Sequence, residues 1–248
     1  MAQYGTKSAS VPNDGTKARK TGACMYKGLS VTVVIPCLNE EEGIRSVLNA
    51  KPEWVDEVIV VDNGSTDKTV EVAESLGAWV VRENLRGYGR AYQRGFAHAK
   101  TDIICCLDGD HTYPIADLGR LIDVFLHYQV DFLSACRFPI LNQEAMSFKH
   151  WIGNKLLSFT MAILFAVPIE DSQSGMWVFK RSILDKIKLT SPGMPFSEEI
   201  KIEVIRHKEL KFKEEHIKYS AREGEIKLQP YRDGIRNILF LVKKRLFG

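Results

Sequence analysis

Residues 103–114 read IICCLDGDHTYP and join an apolar run to two aspartates that are separated by a single glycine. The run 103–107 has the length and the apolar character of a buried β-strand. Asp108 and Asp110 follow it directly, and in an extended segment residues i and i+2 face the same side. The stretch therefore predicts two neighbouring carboxylates at the end of a strand.

Short apolar runs alternate with amphipathic segments on both sides of this stretch. The sequence predicts strands at residues 30–36, 57–61, 79–81 and 103–107, and helices at residues 40–50, 66–76, 89–99 and 116–127. This alternation is typical of parallel βαβ units, whose sheets bind ligands beyond the carboxyl ends of their strands. Three predicted strands end in polar residues, which are Asn39-Glu40, Asp62-Asn63 and Asp108-Gly109-Asp110. We therefore expect an α/β fold with a functional site along this edge.

Composition and charge narrow the class of protein. The 248 residues are 45% hydrophobic and 26% charged, which suits one large α/β domain or two small ones. The net charge of +3 is spread along the chain apart from a C-terminal cluster, whereas nucleic-acid-binding proteins usually carry a concentrated basic patch. We therefore expect no nucleic acid among the partners. The five cysteines are odd in number and show no CxxC spacing, which predicts free thiols in a reducing compartment.

The two aspartates favour a metal ion, although a simpler interpretation exists. Like charges at this spacing repel each other, and a hard divalent cation removes that cost. Mg²⁺ is commonly held by one or two carboxylates together with the phosphates of a substrate. The simpler interpretation is a turn whose aspartate caps the helix predicted at residues 116–127.

Four other motifs carry polar residues, and each also has a purely structural interpretation. Segment 62–67, DNGSTD, predicts a turn in which Ser65 or Thr66 caps the next helix, while Asp62 is left to bind a base or ribose. Segment 86–95, RGYGRAYQRG, lacks the third glycine of a dinucleotide fingerprint; it fits an anion site or a flexible loop. Segments 169–177 and 222–228 fit either sites or surface loops. The six histidines show no metal-ligand spacing.

Taken in order, seven segments resemble those of inverting family 2 glycosyltransferases with the GT-A fold. They are most similar to polyprenyl- or dolichyl-phosphate sugar synthases of the dolichyl-phosphate mannose synthase type, over about residues 29–228. The segments are VVIPCLNEEE, VVDNGSTDKT, GYGRAYQRG, LDGDHTYP, SACRF, EDSQSGMWVF and AREGEIKL. The resemblance implies a Rossmann-like, mostly parallel sheet flanked by helices, in one domain at residues 29–228.

The resemblance also implies roles for the matching residues. The nucleotide pocket would be lined by Pro36, Leu38, Glu40, Val61, Asp62 and Asn63. The sugar diphosphate would meet Asp108, Gly109 and Asp110, with Mg²⁺ or Mn²⁺ on the two aspartates. Phosphate groups would be held by Arg137, Arg222 and Lys227, and the sugar and acceptor would face Asp171, Gln173, Ser174 and Gly175. The catalytic candidates are Asp108, Asp110, Arg137 and Asp171.

The chain departs from the family pattern at three positions. Leu38 stands where the family often has tyrosine, and Asn63 replaces the second aspartate of a common pair. Thr112 stands where some mannose synthases carry a metal-binding glutamine. The donor is therefore open between GDP-linked and UDP-linked sugars.

The implied reaction is the transfer of one mannose, glucose or N-acetylhexosamine to dolichyl or polyprenyl phosphate, which would feed protein or cell-envelope glycosylation. Such an acceptor is already ionised, so it needs positioning and cations rather than a strong base. No Gln-x-x-Arg-Trp motif follows Glu199, and this favours single transfer over processive synthesis.

Three alternatives stay open or are disfavoured by the sequence. A saccharide, glycolipid or protein hydroxyl as acceptor would require Asp171 or Glu198 as a base. A catalytically inactive subunit that binds nucleotide sugar is a second alternative, which the intact aspartate motif disfavours. A sugar nucleotidyltransferase would carry a glycine- and arginine-rich loop after the first strand, where Asn39-Glu40-Glu41 stands.

A lipid acceptor requires a membrane, and the C-terminal residues suit a membrane surface. Residues 231–247 place aliphatic side chains on one helical stripe flanked by arginines and lysines. Residues 150–167 predict either a core helix or an interfacial helix, since no apolar run reaches the ~20 residues of a membrane span. We expect a flexible basic tail at residues 1–28, an amphipathic helix at residues 229–248 and peripheral attachment to the cytoplasmic face of a membrane.

Overall fold

The structure of the protein is a computed structural model that describes residues 25–140, 142–223 and 230–247. Residues 1–24 of the predicted tail and residues 224–228 of the last polar segment lie outside this range. Tyr26, which precedes the predicted domain start at residue 29, packs on the domain. Its ring lies 4.5 Å from that of Trp54, and its hydroxyl donates to Asp123 over 2.9 Å.

One mixed sheet contains the seven strands of the described residues. They are β1 (Val31–Cys37), β2 (Glu57–Asp62), β3 (Trp79–Arg82), β4 (Ile103–Cys106), β5 (Phe132–Cys136), β6 (Trp177–Lys180) and β7 (Phe212–His216). Their order across the sheet is β3-β2-β1-β4-β6-β5-β7. β6 runs antiparallel to both of its neighbours, and the other pairings are parallel. The α/β fold with a mostly parallel sheet is thus confirmed, and the four predicted strands match β1 to β4 within one residue.

Seven α-helices surround the sheet in the described part of the chain. They are α1 (Glu41–Asn49), α2 (Thr69–Ser75), α3 (Tyr88–His98), α4 (Leu118–His127), α5 (Phe148–Phe165), α6 (Phe196–Arg206) and α7 (Pro230–Phe247). The predicted cap of α2 is wrong, because this helix begins three or four residues after Ser65 and Thr66. The Ser65 hydroxyl instead accepts the backbone N–H of Asn39 over 2.9 Å, and it thereby joins the loops that follow β2 and β1.

Alternate residues of the central strands enter two cores on opposite faces of the sheet. Ile103 and Cys105 of β4 pack into one core, while Ile104 and Cys106 pack into the other, and all four are buried. A strand that is covered on both faces must be apolar at every position, which explains the continuous run in the sequence. Each fully buried isoleucine contributes about 1.5–3 kcal/mol through removal of its side chain from water.

The helices divide between the two faces according to their apolar stripes. Ile44 of α1, Val72 of α2 and Leu121 of α4 belong to the first core. Phe96 of α3 and Ile200 of α6 belong to the second. Because both faces are covered, the polar residues that follow β1, β2 and β4 are confined to the carboxyl edge of the sheet.

α5 and α7 pack against each other and against α6 through a third, smaller core. This core contains Met161, Ile202 and Leu241. The other sides of both helices leave large apolar side chains exposed, so α5 is partly a core helix and partly a surface helix. We call this region the α5–α7 apolar surface; it comprises Phe148, Trp151, Ile152, Leu156, Phe159, Ile163, Ile235, Leu239, Val242, Leu246 and Phe247.

None of the described helices is both long enough and apolar enough to span a membrane.

Candidate active site

Asp108 and Asp110 lie beyond the carboxyl end of β4, but the chain between them is not extended. β4 ends at Cys106, and Gly109 and Asp110 form a turn that is followed by His111 in the left-handed conformation, with φ of 62°. The expectation that residues i and i+2 align is therefore wrong here, because it holds only within a strand. The two carboxylates are neighbours nevertheless, since the charge of Asp110 acts on Asp108.

The Asp110 carboxylate is held from two sides. One oxygen accepts the backbone N–H of Thr112 over 3.1 Å and the Thr112 hydroxyl over 2.6 Å. The other oxygen lies 2.7 Å from Nη1 of Arg222, and Nη2 of the same guanidinium contacts the buried Glu40 carboxylate. Arg222 therefore connects the ends of β1 and β4 through two acidic residues.

The Asp108 carboxyl has a strongly altered affinity for protons. Burial and, to a lesser degree, the Asp110 charge raise its pKa to about 7, although a 3.0 Å hydrogen bond from the Tyr88 hydroxyl and the Arg222 charge oppose this rise. Near neutral pH, this carboxyl therefore exchanges a proton for a cation easily. A pair of carboxylates offers oxygen ligands only, and such a donor set fits Mg²⁺ or Mn²⁺.

Two glycines allow backbone segments to approach the aspartate turn closely. A Cβ atom on Gly43 of α1 would lie 2.5 Å from the carbonyl oxygen of Gly109. A Cβ atom on Gly175 would lie 2.5 Å from the Tyr88 hydroxyl and 3.1 Å from an oxygen of Asp108. The turn is thus enclosed by α1 on one side and by the residues before β6 on the other.

Arg137 and Asp171 form a buried ion pair beside this turn. Nε and Nη2 of Arg137 each lie 2.8 Å from one Asp171 oxygen, and the Arg137 backbone N–H donates to the same carboxylate over 3.0 Å. Burial alone would raise the pKa of Asp171, but the Arg137 guanidinium holds that pKa below its usual value. Because both oxygens are engaged and fully buried, this placement suits a partner that orients Arg137 better than a general base.

Segment 171–175 is fixed to α6 by the buried ammonium of Lys201. Its Nζ donates three hydrogen bonds of 2.9 Å, to the carbonyl oxygens of Asp171, Ser172 and Ser174. Burial lowers the pKa of Lys201 to about 8, which the nearby Asp171 charge opposes. At the end of the segment, the Gly175 N–H donates to the Tyr113 hydroxyl over 2.8 Å. The predicted sugar and acceptor segment is thus rigidly attached to the core.

The Gln173 side chain contacts α6 and α7 instead of the aspartates. Its Nε2 donates to Glu198 over 2.7 Å and to the Ser172 hydroxyl over 2.9 Å. Its Oε1 accepts a hydrogen bond of 2.9 Å from Nδ2 of Asn237. A direct contact between Gln173 and the sugar stays a prediction.

Two residues predicted for the nucleotide pocket, Asp62 and Asn63, form side-chain hydrogen bonds to other loop residues of the protein. Asp62 accepts the backbone N–H of Ser65 over 3.0 Å, which confirms the predicted turn. The Asn63 amide donates to the carbonyl oxygens of Glu83 and Leu85 and accepts the N–H of Gly87 over 2.7 Å. Asn63 therefore shapes the loop between β3 and α3.

The other nucleotide-pocket candidates differ in exposure. Pro36 and Leu38 are partly exposed, and Glu40 is bound by Arg222. The Val61 side chain is fully buried in the second core, so only its backbone is left for a ligand. Lys227 lies outside the described residues and stays a prediction.

The glycine-rich segment 86–95 is neither an open anion site nor a flexible loop. A side chain on Gly87 or Gly89 would collide with the backbone carbonyls of Pro192 and Ser191 respectively. The Arg90 N–H already donates to the Pro192 carbonyl over 3.2 Å. The glycines therefore serve close packing between two loops, which the spacing of the glycines did not indicate.

An open, largely apolar cavity of about 650 Å³ has Phe138, the residue after Arg137, in its wall. Its wall consists of Phe138, Pro139, Ile140, Met146, Phe148, Trp151, Lys155 and Glu170. The Lys155 ammonium lies 3.9 Å from the centre of the Phe138 ring. The cavity is continuous with the α5–α7 apolar surface, because Phe148 and Trp151 belong to both, and the centre of its Phe138 ring lies 5.8 Å from the Arg137 guanidinium carbon.

Cys136, Glu170 and His216 form a second group that could hold a metal ion within the described residues. Each offers one ligand atom, and these atoms lie within 4.8 Å of one another. The three residues are far apart in the chain, which explains why the histidine spacing gave no indication of them. The described cysteines are otherwise as expected, since Cys37, Cys105, Cys106 and Cys136 are all buried free thiols.

Two residues that shape the site, Tyr88 and Lys201, were not indicated by the sequence pattern. Tyr88 lies inside the glycine-rich segment, and only the fold brings its hydroxyl to Asp108. Lys201 lies in a helix beside Glu198 and Glu199, and charged residues in such a cluster usually indicate an exposed face.

The family model for Glycosyl transferase family 2 matches residues 32–188. The low-salt glycan biosynthesis hexosyltransferase Agl6 of Haloferax volcanii is 33% identical over 225 residues; the match covers 86% of this chain and 53% of Agl6. This chain therefore spans about half the length of that relative. The dolichyl-phosphate hexose transferase of the same organism is 30% identical over 207 residues, which cover 82% of this chain and 89% of the relative.

Solved structures share the fold. Glucosyl-3-phosphoglycerate synthase from Mycobacterium tuberculosis, in complex with Mg²⁺ and UDP, aligns with a TM-score of 0.69 at 21% identity. The alignment covers 88% of this chain and 80% of the synthase. A complex of the same synthase with Mn²⁺, UDP and glucosyl-3-phosphoglycerate aligns with a TM-score of 0.67 at 21% identity and with the same coverage. These alignments confirm the predicted GT-A fold.

Proposed function

This chain belongs to glycosyl transferase family 2, and from that we propose that it transfers one hexose from a nucleoside diphosphate sugar to a dolichyl or polyprenyl phosphate. One observation carries the proposal. Two carboxylates, Asp108 and Asp110, and two guanidinium groups, Arg137 and Arg222, meet at the carboxyl edge of the sheet. Such a set of charges suits the binding of two phosphate-containing substrates, one that donates the sugar and one that accepts it.

The aspartate pair is the part of the site that fits a divalent metal ion. Asp108 and Asp110 would hold Mg²⁺ or Mn²⁺, which supplies positive charge to the nucleoside diphosphate as it leaves. Arg222 lies against Asp110 and is only partly exposed, so it is placed to contact the same diphosphate. The complexes of the mycobacterial synthase contain UDP, which makes a uridine nucleotide the first candidate for the donor and a guanosine nucleotide the second.

The transfer itself needs little acid–base chemistry from the protein. An oxygen of the acceptor phosphate forms a bond to the anomeric carbon, and the bond from that carbon to the diphosphate breaks with its electron pair on the leaving group. An ionised phosphate oxygen has no proton to lose, so the protein contributes positioning and charge. This agrees with the engagement of Asp171 by Arg137, which leaves that carboxylate unsuited to be a base.

The surroundings of Arg137 support a lipid phosphate as acceptor. The guanidinium borders the apolar cavity through Phe138, and the Lys155 ammonium lies on the wall of the same cavity. Cations next to an apolar wall suit a ligand with a charged head and a hydrocarbon chain. One relative of this chain is itself a dolichyl-phosphate hexose transferase.

The α5–α7 apolar surface supports attachment of this protein to the cytoplasmic face of a membrane. Leu156, Phe159, Ile163, Leu239 and Leu246 are each more than half exposed. Exposed apolar patches of this kind commonly mark sites for a protein or membrane partner. Basic residues of α7, among them Lys243 and Arg245, would add attraction to anionic lipids of about 1 kcal/mol each.

A transfer assay tests the proposed function directly. The protein is incubated with Mn²⁺ or Mg²⁺, a polyprenyl phosphate and, in separate reactions, radiolabelled UDP- and GDP-linked hexoses and N-acetylhexosamines. We expect label in the organic phase with one hexose donor, and loss of that label when EDTA removes the metal. Transfer to a saccharide, glycolipid or protein hydroxyl without transfer to the lipid phosphate would overturn the proposed acceptor. Binding of the donor without any transfer would identify an inactive subunit.

Replacing Leu239 with glutamate is expected to weaken binding to anionic vesicles by about tenfold or more. The change puts a charge where an apolar side chain would enter the lipid, and burial of one leucine is worth about 1.5–3 kcal/mol. Sedimentation with vesicles of phosphatidylcholine and phosphatidylserine measures the effect. Leu85→Glu is the matched control, because Leu85 is similarly exposed, at 59% against 63%, but lies outside the α5–α7 apolar surface. If both variants sedimented equally with the vesicles, the α5–α7 apolar surface would be excluded as the membrane-binding surface.

A further inference from the structure

Asn237 is a buried amide on a helix that is otherwise largely exposed. It is 4% exposed, whereas Ile235 and Leu239 on the same helix are 61% and 63% exposed. Its Nδ2 donates to Oε1 of Gln173 over 2.9 Å. The side of α7 that faces the protein therefore contacts segment 171–175, while its outer side belongs to the α5–α7 apolar surface.

Gln173 extends this contact to α6. Its Nε2 donates over 2.7 Å to Oε1 of Glu198, which is fully buried. Burial raises the pKa of Glu198 to about 8, so this carboxyl is largely neutral at neutral pH. Oε2 of Glu198 and Oδ1 of Asn237 have no hydrogen-bond partner within the described residues. The Gln173 amide is therefore the link between the two helices in this polar group, and it depends on the donor from Asn237.

The position of Gln173 in the chain gives this link a consequence for the candidate active site. Two residues before it, Asp171 orients Arg137, and two residues after it, Gly175 lies against the Asp108 carboxylate. Displacement of Gln173 would thus move both the arginine that faces the acceptor and the backbone that packs on the metal-binding aspartate. A shift of about 1 Å in such groups is enough to cost a large factor in rate.

The helix that carries Asn237 packs on α5 and α6. Asn237 and Leu241 are its fully enclosed side chains among those described, and Lys244 adds ion pairs to Glu203 over 2.7 Å and Glu199 over 3.5 Å. A surface that binds the outer side of α7 in its docked orientation would stabilise that orientation, because any ligand stabilises the state to which it binds.

We propose that Asn237 is a positioning residue that couples contact of the α5–α7 apolar surface with lipid to the placement of segment 171–175 in the active site. The inference rests on the proposed function for the acceptor and the membrane. It predicts that anionic vesicles accelerate transfer by the full-length protein, and that the acceleration requires the amide of Asn237.

The experiment compares Asn237→Leu with Lys244→Met in the full-length protein. Both variants remove one polar anchor of α7, but only Asn237 contacts segment 171–175. We expect Asn237→Leu to lower kcat on vesicles by about 10-fold or more, with the KM for the donor changed less than about twofold and with sedimentation on vesicles unchanged. Both variants are expected to lower the melting temperature by a similar amount. Lys244→Met is expected to keep kcat within about twofold of the original protein. Equal loss of kcat in both variants, or an unchanged kcat in Asn237→Leu, would overturn the proposal.

Hydrogen exchange of a peptide that spans residues 171–175 provides a readout that does not depend on the acceptor. We expect vesicles to slow its exchange in the original protein and in Lys244→Met, and to leave exchange unchanged in Asn237→Leu. The proposed function fails separately, if the original protein transfers no sugar to lipid phosphate. In that case, hydrogen exchange that vesicles slow in the original protein but not in Asn237→Leu still supports the coupling. If vesicles change hydrogen exchange equally in all three proteins, the coupling is overturned.

Discussion

Replacing Asp110 with asparagine is expected to lower metal-dependent transfer by about a thousandfold. The substitution keeps the size of the side chain but removes the charge that holds Arg222 and, with Asp108, would hold the divalent ion. A metal that stabilises the leaving diphosphate is worth several kcal/mol, and about 4 kcal/mol corresponds to this factor. Initial rates at saturating donor, together with calorimetric titration of Mn²⁺, measure the effect. Asp185→Asn is the control, since this exposed carboxylate pairs only weakly, over 3.8 Å, with Arg181. If the Asp110→Asn protein kept normal metal affinity and a normal transfer rate, Asp110 would be excluded as part of the metal site.

The same pair of aspartates predicts how metal binding depends on pH. Since the pKa of Asp108 is about 7, a proton competes with the metal below neutrality, and affinity for Mn²⁺ is expected to fall from about pH 8 to about pH 6. The folded protein keeps this proton to a higher pH than the unfolded chain does. The metal-free protein therefore loses stability as pH rises from near 4 to about 7, and Asp108→Asn is expected to lose less.

Replacing Asp171 with alanine is expected to destabilise the protein by about 3–5 kcal/mol. The change leaves the Arg137 guanidinium buried without its bidentate partner, and loss of one member of a buried pair has this magnitude. Denaturant unfolding followed by fluorescence gives the free energy. Glu209→Ala, which breaks the exposed pair of Glu209 with Lys186, is the control and is expected to have no measurable effect. Equal unfolding midpoints for the two variants would contradict the burial of this pair.

A double substitution separates the contribution of this ion pair to the stability of the protein from its role in sugar transfer. Arg137→Met with Asp171→Met removes both charges, so we expect most of the lost stability to return. Transfer should stay at the background rate, because the cation proposed to bind the acceptor phosphate is gone. Recovery of transfer together with stability would show that Arg137 serves the fold alone.

The first half of the fold was predictable because its signals are local. The runs at residues 31–37 and 103–106 are covered on both faces and are apolar apart from the hydrogen-bonded Thr32, and the helices between them show one apolar side. The turn at Asp62 likewise follows from residues that are adjacent in the chain. Such features depend on neighbours in sequence, so pattern analysis places them within a few residues.

The details of the site depend on partners that are distant in sequence. Nothing in the run at Trp177 indicates that β6 is antiparallel, since direction is set by which strands lie beside it. Lys201 occupies a helix position that looks exposed until segment 171–175 supplies three carbonyl oxygens. The Asp108 pKa is another such property, because it arises from burial and from a neighbour that the turn, not a strand, brings close.

The reversed direction of β6 constrains how the length of this chain can change during evolution. Trp177, the first residue of β6, pairs with Cys106, the last residue of β4, and Lys180 pairs with Ile103 at the far edge. An insertion just before Trp177 would push Gly175 away from Asp108, whereas one just after Lys180 would emerge at the opposite rim of the sheet. Homologues are therefore expected to vary in length after this strand far more than before it.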